Sequence, residues 1–385
     1  MRLIIFGGTF DPPHNAHTEI LNSIKLLKND RVIVLPNFIP PHKDAQATSQ
    51  DRLNMCKLAF NRYEVSDYEI EKGGQSYTYK TLQYFKELYS LDKYSLIYII
   101  GADSMKDLKN WGQPHLLADL ATYYIIKRPH YDNVEQDIQE FKDLYGGNFV
   151  LSDFIGQDIS STEIRLKNAF GAIDDLVPEN VAQYISEKDL YKRYKAITAM
   201  YSKLELPKKR IDHILSVALT ALKLGYIYKV NSENIILAAL IHDIGKSLNL
   251  KKAYNLGLAI SHETIELPAV CRHADFGAEI ARRFFEINDE DILNAIKYHT
   301  TGRANMSKLE KIIFLADYIE PARKTPKLEP IIQTAQYDLD KAVEMTLKKT
   351  MDYLLDKNFE ITPAMKNAYE FYKKENASGT KRTST

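Results

Sequence analysis

Hydrophobic residues follow two different patterns along the 385-residue chain. Up to about residue 190, short apolar runs alternate with stretches of helical periodicity. The apolar runs predict strands at 2–6, 31–35, 63–70, 95–100, 121–127 and 148–152. Helix-like stretches lie between them, for example at 15–28, 50–61 and 78–90. Near-continuous apolar strands separated by helices are typical of a parallel sheet covered on both faces, so we predict an α/β domain.

The pattern changes near residue 200, where β-branched runs become sparse. Long stretches with a 3.6-residue period predict helices at 208–225, 231–246, 275–286, 289–299, 307–319 and 338–356. We therefore expect an α/β domain over residues 1–192 and an all-α domain over residues 203–360. The charged segment 193–202 is the predicted linker, and the polar composition of residues 374–385 predicts a disordered tail.

Charge and cysteine content restrict the partners of the protein. Lys and Arg number 51, as do Asp and Glu, so no global field attracts nucleic acid or an anionic membrane. The two cysteines, Cys56 and Cys271, cannot build a disulfide framework, and no apolar run reaches about eighteen residues. We expect a cytoplasmic protein that binds neither nucleic acid nor membranes. Association into a homo-oligomer stays open.

The first predicted strand runs into the motif GGTFDPPHNAH at residues 7–17. A strand, a glycine pair and a helix start can hold phosphate, because glycine lets the backbone approach closely and a helix N-terminus presents free N–H groups. His14 and His17 are three residues apart in the first helical turn, so both rings can face one ligand. Zinc would need a third protein ligand, which no neighbouring residue suggests. A surface turn with incidental histidines is the remaining alternative.

Further segments place cations and hydroxyls at the same edge of the predicted sheet. Lys43, in PPHK (40–43), follows the second strand. Ser160, Ser161 and Arg165 belong to ISSTEIR (159–165), which opens a helix after the last strand. Because ligands of open parallel sheets bind beyond the carboxyl ends of the strands, we expect an anion site there.

Taken together, these motifs resemble the nicotinate-nucleotide adenylyltransferases, within the wider HxGH nucleotidyltransferase superfamily. The resemblance covers residues 1–192 and rests on GGTFDPPHNAH, PPHK, SYT (76–78), GADSMKDLKNW (101–111), KRP (127–129), ISSTEIR and VPENVAQYISEKDLY (177–191). It implies a Rossmann-like fold and transfer of the adenylyl group of ATP, accompanied by Mg²⁺, to nicotinate mononucleotide. The products would be nicotinate adenine dinucleotide and pyrophosphate. Ala16 stands where the family usually has glycine.

The same resemblance implies a role for each matching residue. His14, His17, Lys43 and Arg165 would stabilise the phosphates during transfer. The nucleotides would contact Gly7, Gly8, Thr9, Phe10, Thr78, Gly101, Asp103, Trp111, Arg128, Ser160 and Ser161. Gly101 and Asp103 would lie by the adenosine, and Thr78 and Trp111 at the nicotinate end. Trp111 could equally be a core residue, and nicotinamide mononucleotide is an alternative acceptor.

Histidine and aspartate residues lie on or beside five successive predicted helices of the second half. The set consists of His213, His242, Asp243, His273, His299 and Asp317. A lone histidine on an amphipathic helix is usually an ordinary polar residue. The adjacent pair His242 and Asp243, however, follows an apolar helix, where burying ionisable groups requires a compensating cation. Such a ligand set suits one or two borderline transition metals, and a metal pair could activate water and clamp phosphate oxygens.

This half resembles the HD-domain metallophosphohydrolases. The run KYHTTGRANMSKLEKIIFLADYIEPAR (297–323) is close to one bacterial subgroup, the symmetrical diadenosine-tetraphosphate hydrolases. The resemblance implies a di-iron centre, held by the six residues above, and cleavage of diadenosine tetraphosphate into two ADP. The same ligands would also admit Mn, Co or Zn.

Four basic residues of this half lie where a polyphosphate would need them, the alternative being ordinary surface charge. They are Arg210, Lys246, Arg303 and Arg323. The resemblance implies that Arg210, Thr300 and Arg323 contact the nucleotide. We expect Arg303 to contact it as well, and Asp243 and Lys246 to be catalytic. A regulatory domain that senses nucleotides is the alternative function, although a sensor would not need the complete ligand set.

Overall fold

The computed structural model describes residues 2–39, 45–92, 95–129, 131, 133–321, 323 and 328–378. It divides into two compact units, Met1–Lys192 and Arg193–Thr385. None of the helices described is both long enough and apolar enough to cross a bilayer.

A six-stranded parallel sheet forms the centre of the first unit, in the order β3-β2-β1-β4-β5-β6. Its strands are β1 (Leu3–Gly8), β2 (Arg31–Pro36), β3 (Glu64–Val65), β4 (Leu96–Gly101), β5 (Thr122–Lys127) and β6 (Asn148–Ile155). Leu3 and Ile5 of β1 belong to one hydrophobic core, and Ile4 and Phe6 to another. Since successive side chains of a strand point to opposite faces, both faces of the sheet are covered. This confirms the predicted α/β class.

Helices connect the strands and cover the sheet. They are α1 (Asn15–Ser23), α2 (Ser49–Ala59), α3 (Tyr68–Lys72), α4 (Thr78–Leu88), α5 (Ala102–Asp107), α6 (Pro114–Leu120), α7 (Val134–Tyr145), α8 (Ser161–Asn168) and α9 (Glu179–Glu187), with a 3₁₀ turn at Leu108–Asn110. The strand predicted at 63–70 is mostly wrong, because only Glu64–Val65 pairs with β2 and α3 follows. The Ser66 hydroxyl accepts a hydrogen bond from the Tyr68 N–H at 3.2 Å, which favours a helix start over continued pairing.

The second unit is helical throughout its described elements. They are α10 (Lys192–Lys203), α11 (Lys208–Tyr228), α12 (Ser232–Ile241), α13 (Leu250–Asn255), α14 (His262–Glu266), α15 (Arg272–Phe285), α16 (Glu290–Lys297), α17 (Lys308–Ile319), α18 (Glu329–Thr334), α19 (Leu339–Asp356) and α20 (Pro363–Ser378), with a 3₁₀ turn at Ile244–Ser247. Helix α11 packs against α12 and α17, and α15 packs against α16 and the 3₁₀ turn. The all-α class of this half is confirmed.

The structure differs from the sequence prediction at both ends of this unit. The segment predicted as a linker, 193–202, lies within α10, and Tyr201 of that helix is fully buried. Residues 374–378 of the predicted tail continue α20, whose Tyr372 is buried and accepts a hydrogen bond from the Met306 N–H at 2.8 Å. In both segments widely spaced aromatic side chains anchor helices whose surfaces are otherwise polar. Their charge content therefore concealed a buried face.

Candidate active sites

The first candidate site lies where β1 and β4 meet at the carboxyl edge of the sheet. From β1 the chain crosses to β2 on one side, and from β4 it crosses to β5 on the other, so a crevice opens between them. Gly7 and Gly8 end β1, and Gly101 ends β4. A Cβ on Gly7 would clash with the Tyr98 hydroxyl, and one on Gly101 with the Asp103 carboxylate. A larger residue at either glycine would therefore require the Tyr98 or Asp103 side chain to move.

His14 and His17 lie at the start of α1, beyond β1. His14 is the N-cap residue, and its backbone N–H donates to His17 Nδ1 at 3.2 Å. The two imidazole rings stack with their centroids 3.6 Å apart, and Phe10 packs edge-on against His17. Burial and the charge of Arg128 lower the pKa of His14 to about 3, so its imidazole is neutral at physiological pH. The neutral His14 imidazole can donate an N–H group to an anion without carrying a full charge.

Asp11 links the glycine-rich turn to three other parts of the first unit, a role that sequence reasoning missed. The buried carboxylate accepts hydrogen bonds from the N–H groups of Gln46 (2.7 Å) and Ala47 (3.1 Å) and from the Tyr191 hydroxyl (2.9 Å). Arg165 Nη1 donates to the Asp11 carbonyl at 2.7 Å and lies 3.6 Å from Asp11 Oδ2. The expected phosphate ligand Arg165 is therefore also a buried partner of this turn.

The start of α8 meets the same turn. Ser161 Oγ donates to the Pro12 carbonyl at 2.9 Å. Ser160 is the N-cap residue, and its hydroxyl accepts from the Glu163 N–H at 3.1 Å. The structure thus brings the N-termini of α1 and α8 to one loop, as the two sequence motifs predicted.

Arg52 is a second residue that sequence reasoning missed. It is 1% exposed, and its guanidinium donates to the carbonyls of Thr9 (2.9 Å), Asn37 (2.7 Å) and Phe38 (2.7 Å). It therefore holds the loops that follow β1 and β2. A charged residue among the buried positions Leu53, Met55 and Cys56 of α2 was the available signal.

The remaining expected nucleotide contacts lie around this crevice. Arg128 Nε is 3.7 Å from Asp103 Oδ1, beside Gly101. Thr78 is the first residue of α4 and hydrogen-bonds the Tyr98 phenol. Trp111 is half-buried and packs against the core under the sheet, which fits the core interpretation as well as a ligand contact. Lys43 lies outside the described residues.

The second candidate site combines the six expected ligand residues of the helical unit. His213 lies on α11, His242 and Asp243 follow α12, His273 lies on α15, His299 follows α16, and Asp317 lies on α17. Asp243 stands between two groups of them. Its Oδ2 is 3.6 Å from His213 Nε2 and 3.8 Å from His242 Nε2, and its Oδ1 is 3.1 Å from His273 Nε2 and 3.6 Å from His299 Nε2.

These separations fit two metal positions that share Asp243. Ligand atoms bound at about 2.1 Å to one metal lie roughly 3 to 4 Å from each other. Asp317 Oδ1 is 3.0 Å from His213 Nε2 and 4.0 Å from His242 Nε2, so it belongs to the first group. We call the position between His213, His242, Asp243 and Asp317 the His213 position. The position between Asp243, His273 and His299 is the His273 position.

All four imidazoles present Nε2 to the centre because a protein oxygen holds each Nδ1. The partners are the Ala239 carbonyl for His242 (2.6 Å), the Val270 carbonyl for His273 (2.8 Å), the Ile296 carbonyl for His299 (2.7 Å) and Glu320 Oε1 for His213 (3.1 Å). Burial lowers the pKa of His242 to about 3. Burial opposes ionisation of Asp243, but the surrounding histidines hold its pKa well below the usual value. Neutral imidazoles and ionised carboxylates are the forms that bind metals.

Cations and a hydroxyl border this centre. Arg210 pairs with Asp243, Lys246 Nζ is 3.6 Å from Asp243 Oδ1, and Arg323 Nη2 is 2.7 Å from Asp317 Oδ1. Thr300 Oγ1 is 3.0 Å from His299 Nε2. Phosphate groups entering beside the metals would meet these side chains.

Arg303 is placed differently from the other expected nucleotide contacts. Its Nε and Nη2 donate to the two carboxylate oxygens of Glu310 at 2.6 and 2.8 Å. Glu310 is 1% exposed and also accepts from the Ser307 N–H, which caps α17. With the Glu310 pair intact, Arg303 could contact a nucleotide through Nη1, which donates to the Ala304 carbonyl at 3.5 Å.

Comparisons with known proteins match a different family to each half of the chain. The cytidylyltransferase-like family model matches residues 5–167, and the HD domain model matches residues 210–322. A Clostridium tetani protein named "Probable nicotinate-nucleotide adenylyltransferase" is 35% identical over 198 residues, 49% of this chain and 98% of that protein. A Staphylococcus aureus protein named "Bis(5'-nucleosyl)-tetraphosphatase, symmetrical" is 39% identical over 168 residues, 42% of this chain and 84% of that protein.

The chain belongs to both of these enzyme families. A Mycoplasma genitalium protein named "Probable nicotinate-nucleotide adenylyltransferase/Ap4A hydrolase" is 29% identical over 366 residues, 92% of this chain and 99% of that protein. Its name joins the two families in one chain, where Ap4A is diadenosine tetraphosphate. The recognition made from the sequence motifs is confirmed for both halves. Membership of the HD family also implies a divalent metal, for which the two ligand groups of the tetraphosphatase half are suited.

Proposed function

We propose that this chain is a bifunctional enzyme. Its first unit transfers the adenylyl group of ATP to nicotinate mononucleotide, yielding nicotinate adenine dinucleotide and pyrophosphate, a step of NAD biosynthesis. Its second unit hydrolyses diadenosine tetraphosphate to two ADP. The observation that carries the proposal is the clustering of His14, His17, Ser161 and Arg165 in the first unit and of the six histidine and aspartate residues in the second, within halves that belong to the corresponding families.

In the transferase reaction, a phosphate oxygen of nicotinate mononucleotide attacks the α-phosphorus of ATP while the bond to the β-phosphate oxygen breaks. No enzyme nucleophile is needed, so catalysis consists of positioning and charge stabilisation. We assign phosphate contacts to His14, His17, Lys43 and Arg165, with Ser160 and Ser161 at the start of α8. Mg²⁺ would accompany ATP and neutralise part of its charge.

The two ends of the dinucleotide product would lie on opposite sides of the phosphates. We place the adenosine beside Gly101, Asp103 and Arg128, and the phosphates against Gly7, Gly8, Thr9 and Phe10. The pyridine ring would lie near Thr78 and Trp111, because the loop after Trp111 contacts the start of α4: a Cβ on Gly112 would be 3.2 Å from Tyr77.

The transferase assignment is tested by measuring pyrophosphate release from ATP with different acceptors. We expect release with nicotinate mononucleotide and weaker release with nicotinamide mononucleotide. A His17→Asn variant should lose activity, because it removes an imidazole at the start of α1. Equal release with phosphopantetheine would contradict the assignment.

In the hydrolase half, His213, His242, Asp243 and Asp317 would hold one divalent metal, and Asp243, His273 and His299 a second. Iron is the metal proposed from the family resemblance. A bound metal pair supplies activation of water and polarisation of phosphate oxygens. Arg210, Lys246, Thr300 and Arg323 would bind and orient the polyphosphate, and Asp243 would hold both ligand groups together.

ADP formation from Ap4A by the full chain tests the hydrolase assignment. We expect Asp243→Asn to abolish ADP formation and to leave the transferase unchanged. A chain that binds Ap4A without forming ADP, and whose transferase rate then changes, would instead support the nucleotide-sensing alternative.

A further inference from the structure

The two metal positions differ in what surrounds their histidines. Three ligand imidazoles donate Nδ1–H to backbone carbonyls of the residue three positions earlier. His213 instead faces a carboxylate, Glu320 Oε1, at 3.1 Å. Glu320 is 2% exposed and also accepts from Ser216 Oγ at 2.7 Å. A buried carboxylate behind a ligand imidazole fixes its tautomer and makes Nε2 a stronger donor to a metal.

The charges near the two positions reinforce this difference. The His213 position has the carboxylates of Asp317 and Glu320 in addition to the shared Asp243. Around the His273 position the other two ligands are imidazoles, each held through a backbone carbonyl. The ammonium of Lys246 lies 3.1 Å from His273 Nε2, but its side chain is 36% exposed, so solvent screens its charge as well.

Two cations also lie at the His213 position, but they do not cancel its greater negative charge. Arg210 and Arg323 pair with Asp243 and Asp317, and their side chains are 31% and 36% exposed. Charges that reach solvent are screened, whereas the charge of buried Glu320 acts through a medium of lower dielectric constant. A divalent cation should therefore bind the His213 position more strongly.

We propose that Glu320 is a positioning residue of the metal centre that makes the His213 position the tighter one, so that two metals bind in sequence, the His213 position first. This inference rests on the proposed metal centre and is independent of which polyphosphate is the substrate. Glu320 acts through His213 and touches no metal itself.

The test is a titration of the metal-free full chain with Co²⁺. Binding is monitored by calorimetry and by the visible absorption of the bound Co²⁺. The wild type should bind two ions in two resolved steps. Glu320→Gln keeps an oxygen near His213 Nδ1 but removes the charge, so the first dissociation constant should rise about 10- to 100-fold. Glu320→Asp keeps the charge and should give an intermediate value, which also serves if the Gln variant folds poorly.

Two further variants control for position and for loss of a buried charge. His299→Gln removes a ligand of the His273 position, so it should abolish the second step and leave the first unchanged. Glu310→Gln removes a different buried carboxylate, in the first turn of α17, which pairs with Arg303 and with no ligand histidine, and it should change neither step.

Each outcome decides the matter. Equal first dissociation constants in the wild type and Glu320→Gln would overturn the role of Glu320 while leaving the metal centre intact. Loss of the first step in His299→Gln would reverse the order of filling and overturn the proposal. A chain that binds no Co²⁺ would overturn the metal centre, and this inference with it.

Discussion

At the scale of single residues, Asp11 ties the glycine-rich turn of the transferase to its surroundings. The carboxylate is 2% exposed and faces Arg165, Tyr191 and two backbone N–H groups. Removing one partner of a buried ion pair leaves the other charge uncompensated. Asp11 therefore stabilises both the first unit and the position of His14, three residues later.

We expect Asp11→Asn to lower the unfolding free energy of the first unit by about 3 kcal/mol. Urea unfolding followed by tryptophan fluorescence measures this, because Trp111 is the only tryptophan of the chain and lies in the first unit. As a control, Glu163→Gln breaks a more exposed pair with Lys167 and should cost less than about 1 kcal/mol. Equal losses in the two variants would contradict the role given to Asp11.

His14 should make the first unit sensitive to acid. Its pKa is about 3 in the fold because of burial, below the ordinary value of 6.5, so unfolding takes up a proton between these pH values. The unfolding free energy should therefore fall as pH decreases from about 6.5 toward 3, by at most about 1.4 kcal/mol per pH unit. His14→Asn should show a shallower fall in tryptophan-detected unfolding. His115→Asn, at an exposed position, is the control and should leave the pH dependence of the unfolding free energy unchanged. A shallower fall in His115→Asn but not in His14→Asn would refute the prediction.

The residue types of both sites could be predicted from the sequence, but their partners could not. His14, His17, Ser160 and Ser161 lie in contiguous motifs, and the structure brings them to one loop. Arg52 and Glu320 act through contacts with residues 15 and 107 positions away, which no local pattern reveals. The pairing of Arg303 with Glu310 likewise depends on how a turn meets α17.

At the scale of elements, the end of α12 and the 3₁₀ turn that follows it position two of the proposed metal ligands, His242 and Asp243. The periodic pattern predicted one helix over 231–246, but α12 ends at Ile241. Hydrophobic periodicity cannot show this break, because Ile244 remains buried beyond it. The turn lets His242 and Asp243 point to the centre while Gly245 packs directly against α15.

Gly245→Ala should disable the hydrolase selectively. A Cβ there would lie 2.5 Å from the His273 carbonyl and 2.9 Å from Phe276 Cβ, so α15 must shift and carry His273 with it. A displacement of this kind can lower a catalytic rate about a hundredfold. ADP formation from Ap4A measures the loss, and pyrophosphate release by the same preparation is the internal control. Unchanged hydrolysis would show that the close packing does not position His273.

At the scale of the whole molecule, the residues that we assign to the two activities lie in separate units. The change of hydrophobic pattern near residue 200 predicted two domains, and the structure divides into two compact units between Lys192 and Arg193. The pattern did not predict that α10 occupies the supposed linker. Within the second unit, Tyr201 of α10 donates to the Leu240 carbonyl at 2.7 Å, two residues before His242.

Metal removal should separate the activities without any mutation. Dialysis against a chelator should abolish both, because the transferase also needs Mg²⁺ with ATP. Returning Mg²⁺ alone should restore pyrophosphate release but not ADP formation, which requires a transition metal. Recovery of both activities with Mg²⁺ would contradict the assigned ligand chemistry of the histidine-rich centre.

The most direct test of a two-enzyme chain is chromatographic analysis of the products formed by the intact protein and two variants. Each sample receives ATP with nicotinate mononucleotide, and separately Ap4A. The wild type should form nicotinate adenine dinucleotide with pyrophosphate from the first mixture and ADP from the second. His17→Asn should form neither product of the first mixture but still form ADP from Ap4A. Asp243→Asn should form no ADP but still form the dinucleotide and pyrophosphate. A wild-type chain that forms just one of the two products, or a single variant that loses both, would contradict the account.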